Sequence, residues 1–368
     1  MYRLLSASCN STQPPRPSKI EYHCVFDTVS QTGRAHFVHG AAVEKLGSSV
    51  FVCFAFNENA ENSLSERLLY TVSSDEGKSW TDPEDIAPKD GFAHSHGVFI
   101  KRKGELWCFA SAFHGLGEPP VNAKGHRSIS FLDLHMDAYR FADGIWQRQP
   151  CECDDFWPLN TPLTLQDGSL LIGGCDRMWH AAAAVSTDPS HAHWKVIKPD
   201  TSDEIFTEAG AWACGSDVLL LMRNETCSAN GCFPAAVALS RNAGHSYAPC
   251  ELSNLNMSTT KPFCGRLQDG RPYVLFNAAI PGAPRDRSLL LLGVGNGRRP
   301  FSVDRLYTVD QGALTSSGRR RALAYPSACE DAGKLYIVYS YESAPALGKN
   351  NNDIVLAVVD ISSFEQTS

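Results

Sequence analysis

One pattern recurs six times along this chain of 368 residues and limits the folds open to it. Each copy is an apolar strand, a turn that contains glycine and a second apolar strand. The copies begin 48 to 64 residues apart, at His39, His96, Asn160, Glu208, Lys261 and Tyr325. A hairpin of two apolar strands is not stable alone, so units of about 50 residues must pack against one another in a ring. The sequence therefore predicts an all-β, six-bladed β-propeller with little helix; a two-domain β-sandwich explains the glycine spacing less well.

A shorter repeat marks turns. The octet SSDEGKSW at Ser73–Trp80 fits S-x-D-x-G-x-S/T-W. In this pattern an Asp caps backbone N–H groups, a Gly adopts positive φ and a Trp packs on the neighbouring sheet. Weaker copies lie at Ser240–Tyr247 and from Ser186 to Trp194. These octets predict hairpin turns and by themselves indicate no chemistry.

Composition excludes several classes of protein. The net charge is -7 and no long basic run occurs, which argues against a nucleic-acid groove. No apolar run approaches the roughly 18 residues of a membrane span. The 13 cysteines lie mostly in apolar stretches, and no signal peptide is evident, so we expect free thiols and a cytoplasmic location. A secreted or periplasmic location would follow if a leader preceded the sequence. The Cys and His spacings match no zinc pattern, and we expect neither metal nor cofactor.

We expect one folded domain. Residues 1–18 read as an N-terminal extension and residues 19–368 as a single propeller. The extended segment Lys19–Asp27 is expected to complete the last blade, to which Asn352–Asp360 supplies the third strand. The sequence does not indicate an oligomeric state.

The starting positions of the six inner strands should converge at the axis of the ring, since the first strand of each blade lines the central channel. Titratable side chains that face one concavity are typical of a functional site. We therefore expect a pocket lined by His39, His96, Asn160, Glu208, Arg223, Lys261 and Tyr325. A solvated polar plug is the alternative.

The octets, known as Asp boxes, and the sixfold repeat resemble the sialidase superfamily of BNR-repeat propellers over about residues 20–364. The resemblance implies a channel-facing Glu at the start of the inner strand of blade 4 and an Arg 15 residues later, which Glu208 and Arg223 match. It also implies a nucleophilic Tyr at the start of the inner strand of blade 6, which Tyr325 matches. The Glu would act as base toward this Tyr, because a phenol with a pKa near 10 needs one at neutral pH.

Other positions depart from the sialidase pattern. The family binds the substrate carboxylate with three arginines, but here Phe37–Gly40 replaces the first motif and Lys261 replaces the third arginine. No acidic residue is evident for the acid that the family takes from blades 1 and 2, where His94 and His96 lie instead. Arg285 and Arg287, in a loop of blade 5, could supply a missing guanidinium.

Three functions fit these residues. The first is a glycoside hydrolase of an acidic glycan, containing sialic or uronic acid, in which Tyr325 and Glu208 form the catalytic pair and His39 or His96 is the general acid. The second is a polysaccharide lyase that cleaves uronic-acid glycans by β-elimination with a His or Tyr base. The third is a non-catalytic propeller that binds glycans.

Overall fold

The computed structural model describes residues 1–9, 14–34, 36–58, 60–121, 125, 127–226, 233–280, 283, 285–343 and 352–364. Over these residues the fold is the six-bladed β-propeller that the glycine-turn repeat predicts. Helix in the described residues is limited to α1 (Thr28–Thr32) and to two 3-10 turns, Ala7–Cys9 and Ile361–Ser363. No helix in this part of the chain is long and apolar enough to cross a membrane.

The blades follow one another along the chain, and within each blade the strands run from the axis outward. The first strand, β1 (Ile20–Phe26), belongs to the last blade. Blades 1 and 2 contain β2 (Phe37–Leu46), β3 (Ser49–Asn57), β4 (Arg67–Ser73) and β5 (Glu84–Asp85), then β6 (Ala93–Arg102), β7 (Glu105–Phe113), β8 (His135–Ala142) and β9 (Ile145–Gln149). Blade 3 contains β10 (Trp157–Pro158), β11 (Leu163–Thr164), β12 (Leu170–Cys175), β13 (Ala181–Ser186) and β14 (Trp194–Ile197).

Blades 4 and 5 repeat the four-stranded plan. They contain β15 (Phe206–Cys214), β16 (Asp217–Asn224), β17 (Pro234–Ser240) and β18 (Glu251–Asn256), then β19 (Phe263–Arg266), β20 (Pro272–Asn277), β21 (Leu289–Val294) and β22 (Arg305–Gln311). Blade 6 contains β23 (Leu323–Asp331), β24 (Lys334–Glu342) and β25 (Asn352–Asp360), and its fourth strand is β1.

The core lies between neighbouring blades. In β3, every residue from Val50 to Phe56 is buried, because blades cover both faces of the strand. This two-sided burial explains why the second strands are continuous apolar runs rather than alternating ones. Each of the six gaps between blades holds at least one apolar cluster of described residues, and the gap between blades 2 and 3 holds two. In the gap between blades 6 and 1, Phe54 packs with Val338 and Leu356.

The two ends of the chain close the ring. β1 pairs antiparallel with β25, from Ile20 opposite Val359 to Phe26 opposite Ile354. This confirms the closure predicted from the extended N-terminal segment. The preceding residues also contribute to the core, since Leu4 is fully buried between blades 4 and 5.

The octet Ser73–Trp80 forms a tight turn after β4. Asp75 Oδ1 accepts a hydrogen bond from the backbone N–H of Ser79 at 2.9 Å. Gly77 has a φ of 96°, and a Cβ added to it would lie 2.7 Å from Cδ2 of Leu356. The glycine therefore provides both the backbone conformation of the turn and its close approach to blade 6.

Candidate active site

Four inner strands share one backbone distortion near the axis. β2, β6, β15 and β23 each contain a β-bulge. Within the bulges φ is positive, at 60° for Gly40, 31° for His96, 46° for Glu208 and 55° for Tyr325. Positive φ is uncommon for residues that have a Cβ and persists where the surrounding structure imposes it. Three of these bulges bring the side chains of His96, Glu208 and Tyr325 to one cavity.

The equivalent residue of blade 1 is Gly40, so the register predicted with His39 was wrong by one residue. A Cβ at Gly40 would lie 1.7 Å from Cδ2 of His96, so the His96 ring fills the space of a blade 1 side chain. The His39 ring instead packs against Tyr325, with 4.0 Å between ring centroids, and its Nδ1 lies 3.1 Å from Ser340 Oγ. His39 therefore contacts Tyr325 from between blades 1 and 6.

Tyr325, Glu208 and Arg223 form a buried hydrogen-bonded cluster. Tyr325 Oη donates to Glu208 Oε1, and Arg223 Nη1 donates to Glu208 Oε2 at 2.7 Å and to Tyr325 Oη at 3.1 Å. Burial favours a higher pKa for Glu208, but the charge of Arg223 and the Tyr325 hydrogen bond lower its pKa below the ordinary value. Burial and then the Glu208 charge raise the pKa of Tyr325 well above its ordinary value. At neutral pH the cluster is thus an ionised carboxylate beside a protonated phenol.

The two histidines at Tyr325 are uncharged at neutral pH. His96 Nδ1 accepts a hydrogen bond from Trp157 Nε1 at 3.2 Å. Burial and then the charge of Lys261 lower the pKa of His96 to about 3. Burial and then the neighbouring His96 lower the pKa of His39 well below its ordinary value. A neutral imidazole is poorly suited to the general-acid role that the sequence predicted for these residues, although its lone pair can accept a proton.

Of the two loop arginines, Arg287 reaches the cluster of Tyr325, Glu208 and Arg223. Its guanidinium lies over the Tyr325 ring, 5.7 Å from the centroid, and its Nε and Nη2 donate to the carbonyl of Thr259 at 3.1 and 2.7 Å. The side chain of Arg285 is 68% exposed and lies 3.8 Å from Glu225, so the prediction that it faces the pocket is not borne out by its position. Arg223 and Arg287 therefore flank Tyr325 as two guanidinium groups.

Asn160 and Lys261 lie near the axis but do not line this cavity, contrary to expectation. Asn160 Oδ1 accepts from the N–H of Cys264 at 3.0 Å, and its Nδ2 donates to the Cys264 carbonyl at 3.1 Å. Lys261 Nζ donates to the carbonyls of Leu159 and Pro326, both at 3.0 Å. Burial lowers the pKa of Lys261 to about 8. Backbone groups of other blades thus satisfy the two side chains that were predicted to hold substrate.

His94 also lies outside the cavity lining. Its Nε2 is 2.9 Å from Asp90 Oδ1, and its Nδ1 is 4.0 Å from Asp137 Oδ2. The side chain is buried within blade 2. The prediction that His94 contacts substrate was therefore wrong: His94 belongs to a polar network within blade 2.

The cavity itself is small, at about 40 Å³. Its described lining consists of Glu61, Asn62, His96, Ile129, Phe131, Trp157, Leu159, Cys175, Trp179, Glu208 and Tyr325. Glu61, which lies in the connection between β3 and β4, was not predicted from the sequence to line the cavity. The polar sequence around Glu61 does not distinguish it from an ordinary exposed carboxylate. Its place in the cavity lining is visible only in the folded structure, where the connection after β3 reaches the cavity.

The fold is a six-bladed β-propeller of the kind found in solved sialidase structures. The chain matches no family model and no curated protein, but solved structures resemble it. A Dyadobacter fermentans protein of unknown function has a TM-score of 0.66 at 16% identity, covering 93% of this chain and 99% of its own. The Hadza microbial sialidase Hz136 has a TM-score of 0.66 at 14% identity, covering 93% of this chain and 69% of its own.

A third neighbour, the sialidase of Trypanosoma rangeli, has a TM-score of 0.61 at 12% identity. The alignment covers 94% of this chain but 58% of that protein, so this chain spans less than two thirds of its length. Similarity at these identities establishes the fold, and the chemistry has to be argued from the residues of this chain.

Proposed function

We propose that this protein is a retaining glycoside hydrolase that removes an acidic sugar from a glycan. The observation that carries the proposal is the hydrogen bond from Tyr325 Oη to Glu208, with Arg223 bonded to both groups. A protonated phenol is a weak nucleophile, and a carboxylate in hydrogen-bond contact can take its proton as it attacks. The left-handed backbone at Glu208 and Tyr325 holds the two side chains together at the axis.

In the first step, Tyr325 Oη bonds to the anomeric carbon while its proton passes to Glu208. The bond to the leaving glycosidic oxygen breaks, and Glu61 gives that oxygen a proton. In the second step, Glu61 takes a proton from a water whose oxygen bonds to the anomeric carbon. The Tyr325–sugar bond then breaks and Glu208 returns the proton to the phenolate. Two displacements retain the anomeric configuration.

The charges at the site favour an acidic substrate. Arg223 and Arg287 flank Tyr325, and their planar guanidinium groups suit a carboxylate. With the first and third arginines of the sialidase pattern absent, the anion would be held from the side of blades 4 and 5. Sialic and uronic acids both carry such a group.

Paired substitutions test this proposal. Tyr325→Phe and Glu208→Gln should each lower kcat/KM toward a chromogenic sialoside or glucuronide by at least about a hundredfold, the usual scale for loss of such a group. Tyr139→Phe is the control, because Tyr139 is an equally buried phenol bonded to Asp137 in blade 2. Unchanged turnover by the Tyr325 variant, with the fold intact, would refute the mechanism.

The two neutral imidazoles beside Tyr325 favour a second function, β-elimination from a uronic-acid glycan. There His39 or His96 would take the proton next to the carboxylate, and the glycosidic oxygen would leave as a C=C bond forms. The product absorbs in the ultraviolet, whereas a hydrolysis product does not. Ultraviolet-absorbing product, lost in histidine variants, would establish the lyase; binding of acidic glycans without turnover would support a glycan-binding propeller.

A further inference from the structure

The cavity at Tyr325 is too small for the substrate class proposed above. Its volume is about 40 Å³. Pockets that hold small ligands measure roughly 300–1,000 Å³. Because the proposed hydrolase must bring an anomeric carbon to Tyr325, part of the lining has to move first; the inference below rests on that function.

Most of the polar lining is held by hydrogen bonds. In the connection after β3, Glu66 Oε2 accepts from the N–H of Asn62 at 2.7 Å, and Asn57 Oδ1 accepts from the N–H of Ala60 at 3.3 Å. Trp157 is fixed by the bond from its indole to His96. These contacts hold the blade 1 and blade 3 sides of the cavity in place.

Trp179 differs from the rest of this lining. Its indole covers the guanidinium of Arg223, with 4.8 Å from Cζ to the ring centroid. It is half-buried, and within the described residues its Nε1 donates no hydrogen bond. By contrast, the indoles of Trp80, Trp194 and Trp212 each donate to a backbone carbonyl. Trp179 is thus an aromatic wall held by stacking on Arg223 and by packing against the apolar cluster that contains Phe131 and Trp157, without a hydrogen bond from its indole to the described part of the chain.

The backbone beneath this indole is fixed. Asp176 Oδ1 accepts from the N–H groups of Met178 and His180, both at 2.9 Å, and Lys198 Nζ lies 2.7 Å from Asp176 Oδ2. Trp179 has a φ of 62° in this tight turn. Any movement is therefore a rotation of the side chain and not of the loop.

We propose that Trp179 gates the sugar-binding space and selects acidic sugars. The indole covers Arg223 in the structure; when an acidic sugar enters, the indole rotates away and the sugar carboxylate pairs with the exposed guanidinium. Arg223 already pairs with Glu208 and, through Nε, with Glu225, and a ligand carboxylate would add a further charge-assisted contact in place of the lost cation–π contact. A neutral sugar has no carboxylate to pair with Arg223, so the indole stays over the guanidinium.

Fluorine NMR of protein labelled with 5-fluorotryptophan tests this directly. Trp179→Phe assigns the resonance of Trp179, and the resonance of Trp80, at the octet turn, serves as the internal reference. The probes are N-acetylneuraminic acid, glucuronic acid and glucose, the last two differing in the carboxylate. We expect at least one acid to shift the Trp179 signal saturably, with glucose and the Trp80 signal showing no change. A Trp179 signal unmoved by both acids, or moved equally by glucose, overturns the gate.

Association kinetics supply a second arm. If the uncovered state is about one tenth of the free protein, Trp179→Ala should raise the association rate of the acid roughly tenfold. Trp107→Ala, in β7 and away from the cavity, should leave it unchanged. An unchanged rate in Trp179→Ala counts against the gate. Neither experiment requires turnover. If the Trp179 signal shifts and the Tyr325→Phe variant is active, only the hydrolase mechanism is rejected. If the Trp179 signal does not shift and the Tyr325→Phe variant is inactive, only the gate is rejected.

Discussion

At the scale of single residues, Gly40 determines where His96 can lie. A Cβ at Gly40 would overlap the His96 ring, whereas a Cβ at Gly47, which has nearly the same φ, would meet no atom within 4 Å. Gly47→Ala should therefore lower the free energy of unfolding by the cost of the left-handed backbone, about 1–2 kcal/mol. Gly40→Ala should lose roughly another 1–3 kcal/mol from overpacking.

Denaturant unfolding of the two alanine variants measures this difference. Gly47→Ala is the matched control, because it shares the backbone strain without the clash. Equal losses in both variants would mean that His96 moves aside freely, and would remove the reason for the glycine.

The neutral histidines predict an acid-sensitive fold. Folded His96 has a pKa of about 3, while an unfolded histidine titrates near 6.5, so the unfolded chain binds more protons between these values. The free energy of unfolding should consequently decrease as pH falls from about 6.5 toward 3, by up to roughly 1.4 kcal/mol per pH unit for this residue. His96→Gln should show a shallower decrease, measured by urea unfolding from pH 7 to 4.5.

His193→Gln provides the comparison, since the side chain of His193 is 57% exposed. Its pH dependence should follow that of the unmodified protein. Parallel curves for His96→Gln and the unmodified protein would show that burial of His96 does not contribute to acid lability.

The positions of some site residues could be predicted from the sequence and those of others could not, and individual residues show why. Tyr325, Glu208 and Arg223 could be placed together because the resemblance assigns them to blades 4 and 6, whose inner strands converge at the axis of the ring. The position of His39 was wrong because a bulge shifts the register by one residue, and the sequence does not show where a bulge lies. Lys261 and Asn160 were misassigned because their partners are backbone groups of other blades, which no side-chain pattern reveals.

At the scale of elements, the strand order was predictable from the repeated glycine turns, but the packing of residues 1–18 was not. Residues 1–18 were expected to be an extension, yet Leu4 is fully buried between blades 4 and 5. The apolar stretch in residues 1–18 is too short to be recognised as a strand, so the sequence does not show that it packs on the propeller. Leu4 is buried only because blades 4 and 5 pack on either side of it.

This packing predicts that the N-terminal segment stabilises the propeller. Leu4→Ala should lower the free energy of unfolding by about 2–5 kcal/mol, the usual range for truncating a buried leucine. Val29→Ala is the control, because Val29 is 43% exposed and should change stability by less than about 0.5 kcal/mol. Chemical denaturation of both variants decides the matter; a Leu4 variant as stable as the Val29 variant would assign these residues to a dispensable arm.

At the scale of the whole molecule, the ring is joined both at its circumference and at its axis. The pairing of β1 with β25 closes the circumference. At the axis, Asn160 links blade 3 to blade 5, and Lys261 of blade 5 donates to the carbonyls of Leu159 in blade 3 and Pro326 in blade 6. Two residues that were predicted to bind substrate therefore connect blades 3, 5 and 6 across the axis of the ring.

The lowered pKa of Lys261 gives this axial link a pH signature. The folded amine titrates at about 8 and the unfolded amine near 10.4, so between these values the unfolded chain binds more protons. The Lys261 contribution to the free energy of unfolding should therefore rise with pH across this window, by up to roughly 1.4 kcal/mol per unit. Lys261→Met lacks this contribution and leaves two buried carbonyls without a donor, so its stability deficit relative to the unmodified protein should widen from pH 8 to pH 10.

Guanidinium unfolding of both proteins at these pH values measures the deficit, and Lys195→Met, a substitution in the outer strand β14, serves as the control. A deficit that stays constant with pH would show that the buried amine keeps its proton throughout and titrates as an ordinary lysine.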